Sequence, residues 1–64
     1  MGRRIRAFRK LKGYTQQELA DLAGVSLAVL GAVERGNRHL EDQILDKIAN
    51  VLGVTTEELA NPNS

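Results

Sequence analysis

The stretch from Thr15 to Arg35 constrains the fold of this chain more than any other, because it carries paired start and stop signals for two short helices. Thr15 is a favourable helix N-cap residue, and Glu18 follows at the spacing of a capping box. Gly24 suits the left-handed residue that ends a helix, and Ser26 provides a second N-cap. The stretch therefore predicts two helices that meet at a tight turn.

Apolar residues recur at helical spacing on both sides of this stretch, and no run alternates as a half-buried strand does. We expect a first helix over about residues 2–12, a fourth over about 40–52 and a short fifth capped by Thr55. The fold class is therefore all-α, with residues 1–60 forming one five-helix domain. Residues 61–64 are expected to form a flexible tail.

The composition excludes most catalytic and metal chemistry. The chain has no cysteine, hence no disulfide, no thiolate metal site and no cysteine nucleophile. His39 is the single histidine, so a metal site would lack companion ligands. No nucleophile–base pair or glycine-rich phosphate loop is evident either. We therefore expect no enzymatic activity, no cofactor, no metal and no small-molecule ligand.

The formal net charge is only +1, but the charges are unevenly distributed. Six of the nine basic residues precede Gly13 with no acid among them, whereas acids gather towards the C-terminus. A basic cluster attracts phosphate backbones and raises association rates, although a solvated helix face is the simpler alternative. The cluster consists of Arg3, Arg4, Arg6, Arg9, Lys10 and Lys12.

Two short helices joined by a glycine-containing turn form a helix-turn-helix unit. Its residues resemble the XRE-type family of Cro and phage-repressor proteins, and the resemblance covers almost the whole chain. It implies a five-helix, lambda-repressor-like DNA-binding domain with the helix-turn-helix at helices 2 and 3. The matching segments are Thr15–Ala20, Ala23–Ser26, Val33–Gly36, Ile5–Arg9 and the apolar pattern from Leu45 to Leu59.

The family resemblance also implies a function. The expected protein is a transcriptional regulator that binds double-stranded DNA sequence-specifically and acts as a repressor. It would insert helix 3 into the major groove as a homodimer on a palindromic operator. No apolar run approaches the roughly 20 residues of a membrane span, so no membrane partner is expected. We expect a cytoplasmic protein that is nucleoid-associated when bound to DNA.

The resemblance assigns roles to individual residues. Arg9 and Glu34 are expected to form a largely buried ion pair between helices 1 and 3. Gln16 and Gln17 open helix 2, where unpaired N–H groups and the positive dipole end favour a DNA phosphate. The full set of expected DNA contacts is Gln16, Gln17, Ser26, Leu27, Ala28, Val29, Ala32, Arg35, Asn37 and Arg38.

The start of helix 3 departs from the family pattern, in which polar side chains commonly read base edges. This chain has Leu27, Ala28, Val29 and, one turn on, Ala32. None of these can make the bidentate hydrogen bonds that distinguish guanine or adenine. Apolar groups can contact thymine methyls, and DNA shape can supplement weak direct readout. The alternative is a protein-binding surface, as in an interaction module or an antitoxin-type partner.

The two C-terminal helices carry more apolar residues than one core-facing side needs. A domain of this size is marginally stable alone, and dimerisation would stabilise it. The resemblance supports a contact through these helices, while closure of the monomer core is the alternative for Val54 and Leu59. The expected dimer interface comprises Ile44, Val51, Val54, Leu59 and Ala60.

Overall fold

The computed structural model describes residues 2–37 and 40–60, which form five α-helices without a strand. This confirms the predicted all-α class. Arg38, His39 and the expected tail at 61–64 lie outside the described residues. The helices are α1 (Gly2–Leu11), α2 (Gln16–Ala23), α3 (Leu27–Glu34), α4 (Asp42–Leu52) and α5 (Thr56–Ala60).

The start of α4 differs from the sequence prediction. The helix begins at Asp42 rather than near Leu40, because Glu41 adopts an extended conformation with φ −67° and ψ 152° and acts as the N-cap. Smaller differences occur at α1, which ends at Leu11, and at α3, where Arg35 is the C-cap. Differences of one or two residues are usual at helix ends, where local hydrogen bonding decides the boundary.

The core lies where the five helices face one another. α2 contacts α3 and α4, while α1 contacts α3, α4 and α5. The core side chains come from all five helices, so burial of their apolar surface stabilises the whole arrangement at once. They are Ile5, Leu19, Ala20, Ala23, Leu30, Val33, Leu45, Ile48, Ala49, Leu52 and Leu59.

α1 and α3 lie close together at Gly2, which is buried. A Cβ atom placed on Gly2 would overlap the carbonyl oxygen of Val33. The first turn of α1 therefore lies directly against the last turn of α3, a contact that only glycine permits.

The helices are short, and the longest, α4, has 11 residues. None within residues 2–37 and 40–60 is long and apolar enough to cross a membrane. In the same ranges, no group of His, Asp and Glu side chains is placed to hold a metal ion.

Candidate nucleic-acid interface

The turn between α2 and α3 is organised by Gly24, whose φ is 71°. In this left-handed region glycine avoids the steric penalty of a Cβ atom, so α2 can end abruptly. The Gly24 N–H points back to the carbonyls of Ala20 and Asp21, and the Val25 N–H donates to Ala20 at 2.9 Å. These hydrogen bonds satisfy the last carbonyls of α2 and set the direction in which α3 begins.

Both helices of this unit begin with a hydrogen-bonding cap. The Thr15 hydroxyl accepts from the Glu18 N–H at 3.1 Å, and the Glu18 carboxylate accepts from the Thr15 N–H at 2.9 Å. At α3, the Ser26 hydroxyl accepts from the Val29 N–H at 3.1 Å. The first two helical N–H groups of α2 and α3 have no acceptor within their own helix, so each start can face an anion.

The two starts differ in charge. The hydrogen bonds from the Thr15 backbone N–H, and then from its side chain, hold the pKa of the exposed Glu18 below its usual value of 4.5. The equivalent position of α3 is occupied by the uncharged Val29. The start of α3 therefore presents no carboxylate of its own towards a polyanion.

Arg9 and Glu34 form a buried ion pair behind α2. Arg9 Nε donates to Glu34 Oε2 at 2.8 Å, and Nη2 donates to Oε1 at 3.1 Å, so the contact is bidentate. Arg9 Nη1 also donates to the Tyr14 carbonyl at 2.8 Å, and Gln16 Nε2 donates to Glu34 Oε1 at 3.1 Å. One network therefore joins α1, the following turn, α2 and α3. Such additional hydrogen bonds are what a buried charge pair requires.

A cleft of about 520 Å³ opens beside this network, and we call it the α2 cleft. Arg9 and Glu34 are buried and neutralise each other, whereas Arg6 and Arg35 are exposed. The two exposed guanidinium groups therefore give the cleft its positive charge. Its lining residues are Arg6, Arg9, Thr15, Gln16, Glu34 and Arg35.

Arg6 is a member of the α2 cleft that sequence reasoning placed only in the general basic cluster. The sequence feature that indicates this position is the spacing of Arg6 from Arg9. Arg6 lies one helical turn before Arg9 and therefore on a similar side of α1. Arg35 reaches the cleft by lying along α3. A Cβ atom on Gly31 would be 3.2 Å from Arg35 Nη1, so the glycine leaves room for that guanidinium.

Arg3 and Arg4 of the basic cluster do not form one patch with Arg6. Arg4 Nε donates to the carbonyl of Glu58 in α5, and the Arg4 guanidinium lies 5.9 Å from the centroid of the Phe8 ring. Arg3 lines a separate groove with Arg4 and Phe8. Arg4 therefore helps to hold α1 against α5, and Arg6 is the exposed member of the cluster that lines the α2 cleft.

The apolar start of α3 consists of Leu27, Ala28 and Val29, with Ala32 one turn on. Leu27 is 42% exposed and Ala28 is exposed, whereas Val29 and Ala32 are half-buried. Val29 packs against the core. Helical spacing places Ala28, Ala32 and Arg35 on one side of α3, so this surface continues into the α2 cleft.

Two other expected DNA contacts are engaged with their own helices. Gln17 Nε2 donates to Asp21 Oδ1 at 2.8 Å, and the Ser26 oxygen forms the α3 cap. The Ser26 hydroxyl can still donate its proton and Gln17 Nε2 keeps a second N–H, so both side chains remain able to donate to a phosphate. Asn37 is exposed after α3, and its backbone N–H donates to the Ala32 carbonyl at 2.9 Å.

The residues expected at a dimer interface do not form one exposed patch. Leu59 is completely buried, as expected from the alternative in which it closes the monomer core, so it offers no surface to a partner. α5 has only five residues, and Leu59 is the buried side chain with which it closes the core. Ile44 and Val51 are half-buried on α4 and pack against the core.

The remaining two expected interface residues lie in grooves between α4 and α5. Ala60 lines one groove with Asp42, Asp46 and Glu57, and Val54 lines an adjoining groove that also includes Asp46. At about 100° of rotation per residue, Ile44 and Asp46 lie on different flanks of α4. The accessible apolar surface beside α5 is therefore small and bordered by carboxylates.

This geometry can be compared with proteins of known family. A family model described as helix-turn-helix, HTH_3, matches residues 5–59. The chain is 54% identical over 61 residues to the uncharacterized HTH-type transcriptional regulator YazB of Bacillus subtilis, covering 95% of this chain and 88% of YazB. It is 40% identical over 60 residues to the HTH-type transcriptional regulator SinR of Bacillus subtilis, covering 92% of this chain.

The chain spans 54% of the length of that SinR protein, so the similarity concerns about half of it. A crystal structure of SinR, described as the master regulator for biofilm formation, in complex with DNA has a similar fold. The TM-score is 0.88 at 40% identity, covering 92% of this chain and 98% of the SinR chain.

Proposed function

The chain belongs to the XRE-type helix-turn-helix family of DNA-binding transcriptional regulators, and on this premise we propose that it is a repressor that inserts α3 into the major groove of a palindromic operator. Residues of the α2 cleft bind the DNA backbone, and the exposed side of α3 faces the bases. The chain acts as a homodimer, with one copy on each half-site.

The observation that carries this proposal is the continuity between the α2 cleft and the exposed side of α3. Arg6 and Arg35 are exposed at the cleft, beside the start of α2. Ala28 and Ala32 continue the surface along α3 from Arg35. A duplex contacted by this surface would offer phosphates to the guanidinium groups and a groove to the helix, which is the docking geometry of a helix-turn-helix. The solved complex of SinR with DNA supports the same partner.

The phosphate-binding part of the proposal is tested by the salt dependence of binding. Arg6→Ala should weaken binding to random duplex and lower the slope of log affinity against log salt by roughly one unit. Arg3→Ala is the matched control, since it removes the same charge from a different groove of α1. Equal salt slopes for both variants and the unaltered protein would contradict a phosphate contact by Arg6.

The proposed dimer meets through the surface beside α5. Val54 and Ala60 are the apolar residues of this surface. Their apolar area is small compared with the roughly 800 Å² that each partner buries in a stable interface. A two-fold contact also brings each bordering carboxylate, from Asp42, Asp46 and Glu57, towards its copy. We therefore expect the dimer to be weak in solution and to assemble on DNA, where two half-sites about one helical turn apart hold both copies.

Ala60→Glu tests this contact, because position 60 is exposed and the added carboxylate increases the repulsion between the two copies. The unaltered protein should bind a palindromic duplex with two copies cooperatively, and Ala60→Glu should bind the half-sites independently. Gln43→Glu adds the same charge at an exposed position outside these grooves and should remain cooperative. Analytical ultracentrifugation of the complexes measures the number of copies, and a single copy per palindrome would contradict the dimer.

Repression follows from occupancy, since a protein bound across a promoter excludes other proteins from it. A reporter whose promoter overlaps a selected operator should be transcribed less when the protein is expressed. The same reporter with a scrambled operator is the control. Increased transcription from the intact operator would contradict the repressor assignment.

A further inference from the structure

We propose that the apolar start of α3 selects operators by contact with the C5 methyl groups of thymine. This inference rests on the proposed DNA-binding function and names what that function recognises. It assigns direct readout to a surface of Leu27, Ala28 and Ala32 that has no side-chain hydrogen-bonding group. The operator positions beneath this surface are therefore A·T pairs that present thymine at the contact.

Bidentate hydrogen-bonded readout at this end of α3 is excluded by the side chains themselves. Leu27 and Ala28 are exposed, and neither can donate to or accept from a base. The Ser26 oxygen accepts from the Val29 N–H at the helix cap, which leaves a single O–H donor and no bidentate pair. The nearest side chain on this side of α3 with strong donors is Arg35, at the far end of the helix beside the α2 cleft.

Thymine is the one standard base that presents a methyl group in the major groove. Burying that methyl against leucine or alanine removes apolar surface from water, which is worth roughly fourfold in affinity per methyl. Guanine O6 or cytosine N4 at the same place would lose its water without gaining a partner. That loss would weaken binding roughly tenfold, so the surface both favours thymine and rejects G·C pairs.

The surroundings of this surface favour DNA as its occupant over an apolar protein segment. Ala28 and Ala32 share one side of α3 with Arg35, so the apolar surface is continuous with the positively charged α2 cleft. The first turn of α3 has no carboxylate like that of Glu18 in α2, because Val29 occupies the equivalent third position of α3. A polyanion with an apolar feature in its groove complements both parts of the surface.

The experiment uses operators selected from a random duplex pool, followed by single replacement of each thymine with deoxyuridine, which lacks the C5 methyl. At one to three thymines per half-site, about one for each side chain of the surface, the replacement should weaken binding roughly fourfold. Replacing other thymines should have no effect. Where the contacted thymine is exchanged for cytosine, 5-methylcytosine should restore part of the lost affinity, because it carries a methyl at the same ring position.

Leu27→Gln is the protein variant that isolates the surface, since Leu27 is 42% exposed and glutamine retains a similar length. This variant should lose sensitivity to deoxyuridine at one position, gain preference for adenine there, and keep its affinity for random duplex. Undiminished sensitivity at every position would show that Leu27 is not a reader and would overturn its assignment.

The outcomes separate the two proposals. Absence of salt-dependent DNA binding would defeat the proposed function itself. Selection of a defined operator whose affinity is unchanged by deoxyuridine at every thymine would leave DNA binding intact and overturn methyl readout. Selection of guanine or cytosine at the positions beneath the start of α3 would overturn methyl readout as well. So would a partner protein that contacts Leu27 while the operator remains bound.

Discussion

The α2 cleft and the apolar start of α3 lie at opposite ends of α3 and are built in different ways. The cleft lies beside the buried ion pair of Arg9 and Glu34, and Gln16 donates a further hydrogen bond to Glu34. The apolar start has the Ser26 cap and otherwise presents aliphatic side chains. Removal of Arg9 or Glu34 therefore leaves a buried charged group unpaired, whereas exchange of Leu27 leaves none. The comparison indicates that this chain separates a rigid phosphate anchor from a readily changed selecting surface.

The largest expected effect is loss of stability at the cleft. Arg9→Ala leaves the Glu34 carboxylate buried with fewer partners and should lower the free energy of unfolding by roughly 3–5 kcal/mol. A domain of this size has only about 3–10 kcal/mol in total, so the variant should be partly or wholly unfolded. Urea denaturation followed by circular dichroism measures the change. Arg3→Ala and Leu27→Ala are the controls, and midpoints equal to theirs would contradict the structural role of the network.

The second effect compares how the two regions influence binding. Arg35→Ala should weaken binding to a selected operator and to random duplex by similar factors, roughly tenfold or more, because it removes a charge-assisted contact to phosphate. Leu27→Gln should change the selected operator alone. Competition assays with both duplexes at one salt concentration measure the ratio. If Arg35→Ala instead lost operator preference while keeping random binding, Arg35 would be a base contact.

Gly31 lies on α3 between the two regions. Its substitution should have a smaller effect, with opposite consequences for helix stability and for DNA binding. Gly31→Ala should raise helix propensity by roughly 1 kcal/mol, but its Cβ atom would press on the Arg35 guanidinium. We expect unchanged or increased thermal stability with weaker DNA binding. The double variant Gly31→Ala, Arg35→Ala should bind no more weakly than Arg35→Ala alone. Fully additive losses would indicate that Gly31 affects binding by another route.

The smallest expected effect concerns the cap at the start of α2. Because the pKa of Glu18 is lowered in the folded chain, the unfolded chain binds more protons as pH falls through 4.5. The contribution of Glu18 is therefore complete above that value and is lost as pH falls through the lower folded value. Glu18→Gln retains an oxygen that accepts from the Thr15 N–H but does not titrate. Between about pH 6 and pH 3 the urea midpoint of Glu18→Gln should fall less than that of the unaltered protein. Parallel decreases of the two midpoints would contradict this cap contribution.

Much of the fold is predictable because its signals are local. The Thr15 and Ser26 caps, the Gly24 stop and the apolar spacing each depend on a few neighbouring residues. The start of α4 is less predictable, because its N-cap Glu41 makes no side-chain cap hydrogen bond and so gives no comparable local signal. Burial of Leu59 likewise depends on how α5 packs against distant helices, which no local pattern specifies.

The sequence predicts several residues of the candidate site, but not how these residues contact one another. The family resemblance supplies Arg9 and Glu34, and helix geometry draws attention to Gln16 at the start of α2. The hydrogen bond from Gln16 to Glu34 joins residues 18 positions apart, so it exists only after tertiary packing. Arg6 joins the α2 cleft for the same reason, while its neighbour in sequence, Arg4, is directed to α5.

The glycine contact between α1 and α3 has a practical consequence for anyone who extends or labels this protein. Since Gly2 lies against the Val33 carbonyl, the beginning of α1 is held beside the end of α3, close to Arg35. An affinity tag or fluorophore attached ahead of Gly2 would project from the rim of the proposed DNA-binding surface, where its own charge would alter the measured affinity. Attachment at an exposed position of α4 that does not line the α2 cleft, such as Gln43, avoids this effect at the cleft.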